Sequence, residues 1–363
     1  MSYPTAKLKD ISLIRTGKLD SNAAEENGIY PFFTCDPQTL CINTWAYDTK
    51  AVLLAGNNAS GNYTAKYYEG KFNAYQRTYI IESFDDSQLN IRYLCYAMNL
   101  QLQLLKTMSA GSTTKFLTIK MLHGLDIPFP CIETQNRIAN IFSAYDDLIE
   151  SNQKQIKLLE EVAQRLYKEW FVDLRFPGYE NTPITDGVPQ GWKKELVGNV
   201  IEKSYRSKQV MTADYLAEGK IPIIDQSRDF IAGYTDDEET LVSLDKPIIV
   251  FGDHTRILKY IQFPFAKGAD GTQLIVSKCK NMPQSLLYLS LLNIDLSNYH
   301  YARHFKYLKA EKIIIPNIEI ATKLDYLVSP IFKKVQILRD QIIGAQQARD
   351  RLLPKLMSGE LEV

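Results

Sequence analysis

Apolar residues along the chain fall into two kinds of pattern, and each kind occurs twice. Short uninterrupted runs closed by glycine, VLLAG at Val52 to Gly56 and IIVFG at Ile248 to Gly252, stand 196 residues apart. Runs of that length that end in a turn residue predict strands buried on both faces, each entering a loop. Further matches keep the same order in both halves: YPFF from Tyr30 with IPII from Ile221, YQRTYII from Tyr75 with TQLIV from Thr272, and FLTIK from Phe116 with FKYLK from Phe305. Each half then has an apolar strand ending in proline, IPFPCIE from Ile127 and IIIPNIE from Ile313, at an offset of 186. A duplicated unit fixes the domain count before any element is assigned.

A helical pattern follows each proline-ended strand. In the first copy Ile138, Ile141, Tyr145, Leu148, Leu159, Val162 and Leu166 recur at spacings of three and four, flanked by Phe142, Ile149, Ile156 and Trp170. The second copy places Leu324, Leu327, Val328, Ile331, Val335, Leu338, Ile342, Ala345 and Leu352 similarly, with Pro330 and Gly344 expected to weaken or bend it. Each pattern predicts a helix on the order of 50 Å long. Such stripes fit ordinary amphipathic core helices or the seam of a coiled coil; sustained heptads and Asn152 at a core position, where a polar residue sets register, favour the seam. A helix this long must bury its stripe on something equally long, and its own repeat is the available partner.

The expected fold is α/β (α+β): two globular domains, each a mixed sheet with helices, separated by two long antiparallel spacer helices that form a coiled coil, with an internal pseudo-twofold repeat. The expected boundaries are 1–132 for the first domain, 133–175 for the central helix, 176–191 for a linker rich in Pro, Gly and Thr, 192–316 for the second domain and 317–363 for the C-terminal helix.

Composition acts mainly by exclusion. With 363 residues, 45% of them hydrophobic, there is material for two cores. No apolar run approaches a membrane span and MSYPTAKLKD has no apolar signal region, so a cytoplasmic location is expected. Five scattered cysteines without a CxxC pair read as reduced packing residues. Net charge is zero overall, +1 over 1–130, +1 over 183–316 and −3 over 131–182, so nucleic-acid binding must be local and the central helix suits a protein partner better than DNA.

The string PFPCIETQNRIANIFSAYDDLIESNQKQIKLLEEVAQRLYKEWF resembles the central conserved region of the DNA-specificity subunits of type I restriction-modification systems. VPQGWKKELVGNV from Val188 resembles the entry to their second target-recognition domain, FGDHTR and GADGTQ resemble motifs within it, and LLPKLMSGEL resembles their C-terminus. One departure is Ala321, which stands where the first copy has Gln135. The resemblance implies a non-catalytic, DNA-binding subunit whose two target-recognition domains each read one half of a bipartite, asymmetric target. The helices would set the spacer and dock methyltransferase (modification) subunits, and restriction translocase subunits would join the complex on double-stranded DNA. Two readers on one face of a duplex must lie about one turn, roughly 34 Å, or a similar multiple apart. The other reading of the repeat is a protein-interaction scaffold without sequence-specific DNA binding.

No catalytic residue, cofactor or metal is expected. The chain has no glycine loop paired with an Asn/Asp-Pro-Pro-aromatic motif for methyl transfer; Gly56 and Gly61 lack the Lys and Ser/Thr of a phosphate loop, and His300 and His304 lack the glutamate of a zinc helix. What remains are polar, basic and aromatic residues in predicted loops, the types that contact phosphates and base edges. The candidates in the first domain are Asn57, Asn58, Ser60, Asn62, Lys66, Arg77, Ser112, Thr113, Thr114 and Lys115. Those in the second are Arg206, Lys208, Arg228, Asp253, His254, Thr255, Arg256, Tyr299, His300, Tyr301, Arg303, His304 and Lys306, with Arg303 the leading guanine reader. Gln76 and Gln273 are expected at matching positions with a shared structural role. The expected helix-packing set is Ile138, Ile141, Phe142, Tyr145, Leu148, Ile149, Leu159, Leu166, Leu324, Leu327, Ile331 and Leu338.

Overall fold

The computed structural model describes residues 3–57, 63–108, 117–202, 207–299 and 303–363, with the side chains of 103–108 left aside. The chain divides into two compact units, Met1–Ser151 with Ile342–Val363, and Asn152–Gln341.

In the first unit the chain runs through β1 (Thr5–Lys7), α1 (Leu8–Ile11), β2 (Ser12–Thr16), β3 (Tyr30–Phe33), β4 (Leu40–Ile42), β5 (Tyr47–Ala55), β6 (Ala65–Ala74), β7 (Thr78–Ser83), α2 (Ile91–Met108), α3 (Ile119–His123), β8 (Asp126–Pro128) and the start of α4 (Ile132–Tyr167). Six strands form one sheet in the order β2-β7-β5-β6-β3-β4, antiparallel except for β3 against β6, and β1 pairs with β8 apart from it. The apolar run of β5 is continuous because both faces are covered. Val52 and Leu54 join a core with Tyr93, Leu94, Ile138, Phe142, Leu353 and Met357, while Ala51 and Leu53 point into an aromatic cluster with Phe33, Tyr47 and Phe72.

The second unit takes the rest of α4, a π-helical turn at Lys168–Val172, β9 (Ile184–Thr185), β10 (Val188–Pro189), β11 (Lys193–Leu196), α5 (Val197–Val200), β12 (Gln209–Val210), β13 (Ile221–Ile224), β14 (Gly233–Thr235), β15 (Leu241–Val242), β16 (Ile248–Gly252), β17 (Leu258–Ile261), β18 (Phe265–Gly268), β19 (Thr272–Ile275), α6 (Gln284–Leu292), α7 (His304–Ala310), β20 (Lys312–Ile315) and most of α8 (Ile318–Ser358). The pairings repeat those of the first unit. β13 is antiparallel to β14 and parallel to β18, as β3 is to β4 and β6; β16 lies between β17 and β19, as β5 lies between β6 and β7; β11 pairs with β20, as β1 pairs with β8. The burial alternation of β5 recurs too, with Ile249 and Phe251 in one core and Ile248 and Val250 in another. Here the sheet is split into a five-stranded and a three-stranded part. The register corrects one expectation: Thr78 lies beside Ala55 and Gln273 beside Phe251, so Gln273 corresponds to Thr78 rather than to Gln76.

Within each unit α4 and α8 run antiparallel. Arg349 meets Asp146 at 2.9 Å in the first, where Ile138 and Phe142 share a core with the later Leu353 and Met357. In the second, Asn152 donates to Gln341 at 3.2 Å and Arg339 pairs with Glu160 at 2.7 Å. Asn152 is buried, as its place in the stripe requires. α8 is continuous through Pro330 and Gly344. The carbonyl that loses its partner to Pro330 belongs to Tyr326, a residue 80% exposed, while Val328 and Phe332 anchor the same turns in the core. Leu148, Val162 and Leu327, expected in the seam, are instead 44%, 52% and 44% exposed. A straight helix drifts from a strict seven-residue repeat, which carries such positions off the buried face.

Ala321 has a physical account. Gln135 is fully buried at the start of α4, donates to the carbonyls of Gln88 and Pro130 and accepts from the Asn90 amide. In the second unit the corresponding proline carbonyl, that of Pro316, accepts from Asn281 at 2.7 Å, so the tie comes from the opposite side and the helix start needs only a small residue.

Candidate nucleic-acid interface

Both glycine-closed strands deliver their loops at a crowded point. A Cβ on Gly56 would sit 2.9 Å from the Arg77 carbonyl, and one on Gly252 would sit 2.2 Å from Thr255 Oγ1 and 2.9 Å from Gln226 Cβ. Glycine is therefore set at both places by close approach of a neighbouring turn.

In the second unit the loops after β13, after β16 and before β19 converge. Gln226 Nε2 donates to the Asp270 carbonyl at 2.8 Å, its Oε1 accepts from the His254 amide at 3.1 Å, and its own carbonyl accepts from Thr255 Oγ1 at 2.7 Å. FGDHTR and GADGTQ lie side by side, with the Asp253 amide donating to the Gly271 carbonyl at 2.7 Å. Asp253 is buried and fixes the start of α7: its carbonyl accepts from the His304 amide at 2.9 Å and its carboxylate from the Phe305 amide at 2.7 Å. Arg256 adopts φ +63°, a region that costs a non-glycine residue roughly 1–2 kcal/mol. It is held there by a bond from its amide to the Gly252 carbonyl and from its guanidinium to the Leu296 carbonyl at 2.9 Å.

Several proposed contact residues make bonds within the protein, and of these Lys208, Thr255 and Arg256 remain exposed. Asp253, Thr255 and Arg256 brace the loop, and the His304 ring is buried with Nδ1 unpartnered, its pKa lowered by burial and by Arg256 nearby. Tyr299 stacks on Tyr307 at 4.1 Å and its hydroxyl donates to Glu311. Lys208 is clasped by Asp237 and Glu239 at 2.8 and 2.9 Å, which raises its pKa. The side chains of Arg228, His254, Arg303 and Lys306 stand exposed around this platform.

In the first unit Lys66 ties the loop after β3, donating to the Pro37 carbonyl at 2.6 Å and Thr39 Oγ1 at 3.3 Å; burial lowers its pKa. Asn57 is half-buried and Arg77 is exposed at the turn beside Gly56. Asn58, Ser60, Asn62, Ser112, Thr113, Thr114, Lys115, Arg206, His300 and Tyr301 lie outside the described residues. Gln226 was missing from the sequence candidates. Its signal was available: a polar residue two positions beyond the end of the buried strand IPII, where the chain enters a loop. The cysteines also depart from expectation, since Cys41 and Cys131 are exposed and only Cys95 is fully packed. Among the described residues no group of three or more His, Cys, Asp or Glu could hold a metal ion, and no helix is long and apolar enough to cross a membrane.

One domain plan is used twice in the chain, so the fold defines a protein with a duplicated domain. The type I restriction modification DNA specificity domain matches residues 3–161. The type I restriction enzyme MjaIX specificity subunit of Methanocaldococcus jannaschii is 30% identical over 298 residues, 75% of this chain and 68% of the relative. The EcoDI specificity subunit of Escherichia coli is 34% identical over 165 residues, 46% of this chain and 36% of the relative. The crystal structure of the type I restriction-modification S subunit from M. genitalium has the same fold, with a TM-score of 0.66 at 16% identity, covering 98% of this chain and 96% of that one. The chain belongs to the family of type I restriction enzyme specificity subunits, sequence-specific DNA-binding proteins.

Proposed function

We propose that each domain reads one half of a bipartite, asymmetric DNA target, residues 1–132 one half and residues 192–316 the other. The central and C-terminal helices set the unspecified spacer and dock methyltransferase subunits, to which restriction translocase subunits add. The chain itself contributes recognition and no chemical step, takes no cofactor, and works in the cytoplasm.

The observation that carries this reading is the braced polar loop at the glycine-closed end of β16, with Arg228, His254, Arg303 and Lys306 exposed around it; in the first unit Arg77 is exposed at the turn beside the glycine that closes β5. Arginine and lysine there serve phosphates and guanine edges, and His254 offers a further hydrogen-bonding group. Docking of a protein partner is supported by apolar side chains left uncovered on the helices of the second unit: Leu158 and Val162 on α4, and Tyr326 and Ile337 on α8, each at least half exposed.

The purified chain with DNA and methyl donor is expected to give no methyl transfer. Adding a methyltransferase subunit should give methylation of adenines within one bipartite motif. Methyl transfer by the lone chain, or a complex that methylates without sequence preference, would contradict the reading. DNA-independent association that is indifferent to salt would favour the protein-interaction scaffold.

A further inference from the structure

We propose that Gln226 is the specificity-positioning residue of the second domain: its side chain locks the three reading loops into one arrangement, and base discrimination in that half-site depends on it. This rests on the proposed function.

From its own loop after β13, Gln226 reaches the two neighbouring loops through three atoms. Its amide nitrogen holds the Asp270 carbonyl in the turn before β19, its amide oxygen holds the His254 amide in the loop after β16, and its backbone carbonyl holds Thr255 Oγ1. Two glycines are shaped around it: a Cβ on Gly252 would come within 2.9 Å of its Cβ, and one on Gly271 within 2.7 Å of its Nε2. The loop it holds includes Arg256 in the left-handed region, a conformation that persists only where its surroundings fix it. Without the amide, the His254 amide and the Asp270 carbonyl lose their partner, and the neighbouring imidazole is released with the backbone that carries it. Readout by hydrogen bonds needs donors held within tenths of an ångström, so a loosened loop blurs base discrimination before it abolishes phosphate contact. Gln226 lies in the second unit, so its substitution leaves in place the first unit's own tie from Lys66 to the loop after β3.

The test uses the full chain assembled with a methyltransferase subunit and three duplexes: the cognate site and the site with one base pair replaced in either half. The half belonging to the second domain is the one unchanged when residues 1–130 are exchanged. For Gln226→Ala, the ratio of affinities for the cognate duplex and the duplex altered in the second domain's half is expected to fall at least ten-fold. The corresponding ratio for the other half should keep its wild-type value. Gln226→Glu keeps the acceptor for the His254 amide and loses the donor to Asp270, so it should show a smaller fall in the same ratio. Ratios unchanged in both halves, or falling together, would overturn the proposal. Failure of both variants to assemble would overturn it as well, since Gln226 would then be a folding residue. A wild-type complex that discriminates in neither half would instead count against the proposed function.

Discussion

Lys259 is buried on β17, with its ammonium donating to the Asp229 carbonyl and lying 3.9 Å from Asp225. Burial pushes its pKa down to about 8, against the attraction of Asp225 and Asp229. Below that pH the lysine is charged both folded and unfolded, and the full cost of burying the charge is present, on the order of 3 kcal/mol. Between pH 8 and the usual lysine range the unfolded chain binds more protons than the folded one, so this group makes stability rise with pH. Lys259→Met is expected to flatten that rise, as read by thermal unfolding from pH 7 to 10. Asp253 gives a second prediction at this scale: Asp253→Ala strips the carboxylate acceptor from the Phe305 amide at the start of α7 and should cost about 1–3 kcal/mol of stability, measured by denaturant unfolding. Residue type announced these polar loops, but residue type does not announce partners. The partners of Lys66, Lys208 and Arg256, namely Pro37, Asp237, Glu239 and Leu296, come beside them only through folding.

At the scale of elements, α4 and α8 are held by polar contacts as well as by packing. Glu160 and Arg339 pair at 2.7 Å, the arginine also lies over the Phe230 ring at 4.0 Å, and burial raises the pKa of Glu160 despite Arg339. A double-mutant cycle on Glu160 and Arg339 should return a coupling of about 1 kcal/mol, because both side chains are only partly screened. Asn152→Ala should lower stability by a similar amount, on the order of 1 kcal/mol, by removing the hydrogen bond to Gln341 and side-chain volume from a buried position. The strands that sequence reveals best are those covered on both faces, such as β5 and β16, where burial writes an unbroken apolar run. The two-residue strands β9, β10, β12 and β15 leave no period to detect. The helical stripe was legible in outline, yet Leu148, Val162 and Leu327 show that spacing alone does not separate a seam residue from its exposed neighbour.

For the whole molecule, zero net charge means that DNA affinity must come from a few placed cations rather than from a general field. Binding by the assembled complex should weaken steeply with salt, and each of Arg228→Ala, Arg303→Ala and Lys306→Ala should reduce the slope of log affinity against log salt by about one where the side chain meets a phosphate. Arg303→Ala should also relax discrimination at one position if it reads guanine, at a cost of about 1–3 kcal/mol. The duplication has a stricter consequence, because two copies of one domain plan allow one reader to be exchanged while the other is kept. The decisive measurement is a genome-wide map of methylated adenines in cells expressing a methyltransferase subunit with either this chain or a version whose residues 1–130 come from a relative of different target. One half of the motif should change while the other half and the gap are retained. A motif that changes in both halves, or in neither, would contradict the assignment of one half-site to each domain.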